Sequence, residues 1–248
     1  MSPRKTILVL GALLFCSAIA FGQSSGNFTY GSNGGTTRCQ LSSNGSISGG
    51  QMCQQSCTVQ PDGSVACSGN GNGNNLCVGG FAVGIKTNSG SGNVFDIRPS
   101  AVVGLLTDVS LQKSSTTSVG TSSALAGVDF SVAVTPSATV TPAYPVTYAS
   151  RFVQISSNLF DVLSTTCTTV STTNPTGSCF INFNESTVSA HSFDFIASGL
   201  SSGEYAVAVN WSSSLGNTGI SNALTCVGPV NLTVTQNKVF HFDQPNSF

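Results

Sequence analysis

The chain has 248 residues, of which 8 are Lys or Arg, 9 are Asp or Glu and 2 are His, giving a formal charge of −1 and a charged fraction of 7%. Average soluble proteins carry roughly 25% charged residues. A chain this poor in Lys and Arg lacks the clustered cations that neutralise phosphates, which excludes nucleic acid as a partner. Its hydration must come from Ser, Thr, Asn and backbone.

At the N-terminus, Arg4 and Lys5 precede an apolar run from Ile7 to Ala20 that ends in small residues. This is the layout of a secretory signal peptide over residues 1–22, cut after Gly22 or, alternatively, Ala20. Cys16 does not make a lipoprotein signal, because Phe15 stands where lipidation requires a small residue. No later stretch reaches the length of about 18 apolar residues that a spanning helix needs, so no membrane span is expected. Localisation is expected to be secreted, extracellular or periplasmic. Without residues 1–22 the balance is six basic to nine acidic side chains, a net −3.

Residues 23–80 form a Gly/Asn-rich segment holding Cys39, Cys53, Cys57, Cys67 and Cys77. Its few large apolar side chains cannot offset the ordering entropy of roughly 1–2 kcal/mol per residue, so disulfides are expected to fix it. Gln60-Pro61-Asp62-Gly63-Ser64 is a turn signal. If Pro61 to Gly63 form a three-residue loop, Cys57 stands opposite Cys67 at a non-hydrogen-bonded position, within disulfide reach. The following Ser68-to-Asn75 run alternates Gly and Asn but has no carboxylate for calcium. It also lacks the Gly-Lys-Ser/Thr ending of a phosphate loop.

Residues 81–248 read as one domain of short strands. Phe81, Val83 and Ile85 alternate, as do Phe95 and Ile97, then Val103 to Leu111, then Val128 to Val134. Lys113 to Ser123 is a Ser/Thr-rich connection. Pro136, Pro142 and Pro145 mark a loop or sheet edge. Val146 to Ile155 predicts a strand with Tyr148 and Phe152 on one face, and Ser156 to Leu163 a short helix. Cys167 and Cys179 flank an Asn-Pro-Thr-Gly turn and are expected to pair, which leaves Cys226 for Cys39, Cys53 or Cys77. With five cysteines upstream and three downstream, full pairing forces at least one bridge between the halves.

The stretch His191 to Ser214 organises the domain. It reads as two strands joined by a Ser-Ser-Gly turn, with Tyr205, Val207, Val209 and Trp211 on one face and Glu204, Ala206, Ala208 and Asn210 on the other. Tyr205 after a Leu-x-x-Gly turn resembles the tyrosine corner of Greek-key sandwiches. Asn222 to Phe242 supplies the closing strands. The expected fold is an all-β, Greek-key (immunoglobulin-like) β-sandwich preceded by the disulfide-stapled segment.

Catalytic chemistry is sparse. His241 and Asp243 share a strand face, but no Gly-x-Ser-x-Gly elbow accompanies them. His191 and Asp194 fall on opposite sides. No carboxylate pair is singled out for glycoside chemistry. Cys53-x-x-x-Cys57 is the single close cysteine pair and both histidines are distant, so neither metal nor cofactor is expected. Tyr144 and Tyr148 are the candidate ligand-contact rings, Trp211 being assigned to the core. Five Asn-x-Ser/Thr sequons, at Asn27, Asn44, Asn184, Asn210 and Asn231, match what chance gives in a chain rich in these residues. The function expected is a secreted, non-enzymatic structural, adhesive or ligand-binding role toward an extracellular ligand or surface. A secreted hydrolase and a carbohydrate-binding module are the alternatives.

Overall fold

The computed structural model describes residues 26–33, 37–60, 62, 64–70, 77–90, 92–113, 121–156, 158–159 and 179–239. The strands are β1 (Phe28–Ser32), β2 (Gln40–Leu41), β3 (Ile47–Ser48), β4 (Gln51–Val59), β5 (Val65–Gly69), β6 (Val78–Thr87) and β7 (Asn93–Lys113). They continue as β8 (Thr121–Thr135), β9 (Thr139–Thr141), β10 (Val146–Ser156), β11 (Cys179–Ser192), β12 (Phe195–Leu200), β13 (Gly203–Thr218) and β14 (Ile220–Lys238). One sheet has eight strands with the spine β5-β4-β14-β7-β12-β9, to which β1 adds beside β14 and β11 beside β7. A second sheet has the order β10-β8-β13-β6, and β2 and β3 form a small hairpin. All pairing is antiparallel.

The long β7–β14 ladder runs from Ser110↔Ile220 to Asn93↔Lys238, and shorter strands flank it in halves. At one end, here called the upper half, β4 lies beside β14 and β11 beside β7. At the lower half, β1 and β12 take those places, with β9 beyond β12. The halves meet at Gly228-Pro229, where the register skips one residue of β14. Pro229 has no N–H to give a ladder, so a bulge is where it fits. The skip also explains the phase of the sequence: Ala223 and Val227 are buried above it, Val230, Leu232 and Val234 below it.

The two sheets face each other across an apolar layer. Phe95, Ile97, Val103, Leu105, Val109 and Leu111 of β7 meet Val128 and Phe130 of β8 and Val207, Val209 and Trp211 of β13. Each such side chain contributes about 1.5–3 kcal/mol when fully buried. Phe130 stacks on Tyr148 at 4.1 Å and lies 5.9 Å from Trp211, and Phe95 meets Tyr205 edge-on at 5.5 Å. Cross-layer hydrogen bonds fix the sheets: Trp211 Nε1 donates to Gln51 Oε1 at 3.0 Å, and Thr225 Oγ1 to Ser213 Oγ at 2.7 Å.

Sequence and structure differ in two places. The strands either side of Ser201-Ser202-Gly203 do not pair: β12 belongs to the eight-stranded sheet and β13 to the four-stranded one, so the turn carries the chain across the sandwich. Tyr148 and Phe152 do not share a face. A bulge between Thr147 and Ala149 adds one residue, so Tyr148 is buried while Phe152 is 60% exposed. Of the helix expected over Ser156 to Leu163, residues 158–159 are helical and Leu159 packs against the core, while its remainder from residue 160, Cys167, the Cys179 side chain, His241 and residues 1–22 lie outside the described residues.

The described part of the Gly/Asn-rich segment joins the eight-stranded sheet through β1, β4 and β5. Cys57 and Cys67 are register partners across β4–β5 with Cα atoms 4.1 Å apart, and they are bonded. Gln60 N donates to Ser64 O at 2.8 Å, and Asp62 Oδ1 accepts from Ser64 N at 2.9 Å, which closes the turn. Cys53 bonds Cys77, and Cys39 bonds Cys226, 187 residues away. That last bridge seats residues 37–50 on the outer face of the upper half, where Cys39 and Ile47 cover Leu106, Leu224 and Cys226.

Candidate functional site

Of the two candidate contact rings, Tyr144 is 70% exposed in the bend before β10, whereas Tyr148 is 8% exposed. The Tyr148 ring stacks on Phe130 inside the sandwich and its hydroxyl donates to Pro99 O at 2.8 Å. Burial raises its pKa well above the ordinary phenol value, so it stays neutral. The corrected reading is that Tyr148 is a core residue that no surface ligand can reach. Trp211, 5% exposed, is likewise interior.

The lower half of the eight-stranded sheet, uncovered among the described residues, carries a feature that local sequence patterns do not show. On β1, Thr29 and Gly31 turn inward. A Cβ on Gly31 would stand 2.4 Å from Val83 Cγ1, so only glycine lets β1 lie this close to β6. Phe28 and Tyr30 therefore point out, 59% and 75% exposed, with ring centroids 6.2 Å apart and planes inclined by 30°.

Register extends this pair into rows, because directly opposed residues of an antiparallel ladder share a face. One row runs Phe28, Thr235, Asp96, Ile196, Thr141 across β1, β14, β7, β12 and β9. The next runs Tyr30, Thr233, Arg98. At about 4.8 Å per strand, Phe28 to Ile196 spans about 14 Å. Arg98 forms a two-pronged pair with Asp194, through Nε to Oδ1 and through Nη2 to Oδ2 at 2.9 Å. The hydrogen bond from Arg98 holds the Asp194 carboxyl below its ordinary range. The result is a face with aromatic rings at one edge, hydroxyls in the middle and a charge-compensated guanidinium–carboxylate pair beyond.

Two other places carry chemistry. On β11, Ser189 Oγ lies 2.6 Å from His191 Nε2, and Arg151 of β10 reaches Thr187 Oγ1 at 3.1 Å and Glu185 at 3.5 Å. Among the described residues no carboxylate hydrogen-bonds the His191 ring, so the third member of a nucleophile triad is not assembled there. On the outer face of the four-stranded sheet, Val78, Gly80, Ala82, Asp129, Ala208 and Asn210 line a shallow depression of about 640 Å³. Asp129 accepts there from Thr147 at 2.5 Å. Glu204 pairs with Lys86 in solvent. No group of three or more metal-ligating side chains occurs among the described residues.

No family model and no curated protein matches the chain. Among solved structures it is similar to dimeric latent PorU from Porphyromonas gingivalis, at 12% identity over 65% of this chain and 10% of that one, with a TM-score of 0.15. The chain thus spans a tenth of that protein's length, and a likeness at this level carries no argument about fold or activity.

Proposed function

We propose that this is an extracellular, non-enzymatic binding protein built on a Greek-key sandwich. The strand pairs nest: β4 with β14, β6 with β13, β7 with β11 and β12, and β8 with β10. A nested antiparallel ribbon rolled until β7 meets β14 and β8 meets β13 has the jelly-roll order, a double Greek key, in place of the immunoglobulin-like order the sequence suggested. Disulfides among Cys39, Cys53, Cys57, Cys67, Cys77 and Cys226 support an oxidising compartment.

One observation carries the binding role. Among the described residues, the outer face of the eight-stranded sheet is covered over its upper half by the Cys39–Cys226 staple and uncovered over its lower half, where Phe28 and Tyr30 stack in solvent. Adjacent exposed rings on a sheet face are the kind of surface through which a protein contacts a partner. The test compares purified wild-type protein with a Phe28→Ala/Tyr30→Ala variant in a pull-down against surface material of the source cells. Loss of retention in the variant supports the reading, and equal retention overturns it.

A further inference from the structure

We infer that the open face takes an uncharged glycan chain, an inference that rests on the binding role proposed above and names the chemistry of its ligand. A sugar ring offers two kinds of surface: apolar C–H faces and an equatorial belt of hydroxyls that donate and accept. A protein surface that recognises it needs exposed ring faces and planar or hydroxylic polar groups side by side. The lower face has both within two strand spacings, with Tyr30, Thr233 and Arg98 in one register row and Phe28, Thr235 and Asp96 in the next.

Competing occupants fit less well. A protein partner favours a contiguous apolar centre with a polar rim. Here the order is reversed, since the rings lie at the sheet edge and the centre is Thr and Asp. An anionic ligand would need unpaired cations, whereas both prongs of Arg98 are held by Asp194. Paired in this way, the guanidinium and carboxylate still present outward lone pairs and N–H edges to hydroxyls. The two rings stand near-parallel, 6.2 Å apart and both exposed, so each keeps an outward face or edge for the C–H face of a sugar residue.

The experiment is native affinity electrophoresis of the full chain through gels containing soluble β-glucan, xylan, mannan or α-glucan, each neutral. The expected result is retardation by at least one of them. Retention should weaken about tenfold in Phe28→Ala/Tyr30→Ala, the loss expected from stacking contacts, and be kept in Tyr30→Phe. The near-ultraviolet circular dichroism of each variant establishes that the sandwich is intact. Absence of retardation by all four glycans overturns the inference. If the double variant nevertheless loses surface retention, the ligand is a protein or lipid and the broader binding role survives. If it retains surface binding, both fall.

Discussion

The Tyr205 hydroxyl reaches back to Ser201, accepting its backbone N–H at 3.0 Å and lying 3.2 Å from its carbonyl oxygen. It thereby ties the first buried residue of β13 to the turn through which the chain crosses from one sheet to the other. Tyr205→Phe keeps the ring against Phe95 but leaves both backbone groups without this partner. The expected cost is about 1–2 kcal/mol, seen as a lower urea midpoint with unchanged slope. No change would mean the bond does not fasten the crossing.

Gly50 has φ +57°, and a Cβ there would stand 2.5 Å from Cys226 Sγ and 2.6 Å from Cys39 Sγ. A methyl group and the bridge cannot occupy that space together. Gly50→Ala should therefore yield free Cys39 and Cys226 thiols by alkylation and mass spectrometry, with Cys57–Cys67 still closed. Loss of a bridge joining residues 187 apart lowers stability by up to about 5 kcal/mol in the chain-entropy account. It should also uncover Leu106 and Leu224, measurable as binding of a hydrophobic dye.

Tyr148 and Tyr144 should separate cleanly. Tyr148→Ala removes a ring stacked on Phe130 and should destabilise by about 3–5 kcal/mol. Tyr144→Ala, at an exposed bend, should stay within about 0.5 kcal/mol. Thermal melts of both variants check this.

How these residues sort was only partly legible in the sequence. Alternation gave Tyr205, Val207, Val209 and Trp211 as the buried face of β13, and turn chemistry placed Cys57 opposite Cys67, because both rest on local periodicity. The Tyr148 phase was misread because a bulge adds one residue without any Gly or Pro to announce it. The 191–214 stretch read as a hairpin because a turn that crosses between sheets has the same composition as one that closes a ladder. Phe28 and Tyr30 stand in a short run between Gly-rich stretches. Their outward direction depends on the approach of Gly31 to Val83, a contact between residues 52 positions apart that no local pattern encodes.

The Arg98–Asp194 pair sets the pH dependence of the face. Because the folded-state pKa of Asp194 is depressed, the pair is intact above the ordinary carboxylate range and is lost only as pH falls through the depressed value. Glycan retention should be level from about pH 8 to pH 5 and decline only once the pH has fallen below the ordinary carboxylate range. A decline centred near pH 6 would implicate a histidine and contradict this assignment.

The most direct test of the open face as the contact surface is an amide NMR titration of the full chain with the glycan that retards it most. Resonances of Phe28, Tyr30, Thr233 and Arg98 should shift together and saturably, while those of Gly80, Asn210 and His191 stay still. Shifts confined to the depression on the four-stranded sheet or to β11, with Tyr30 unmoved, would contradict the account.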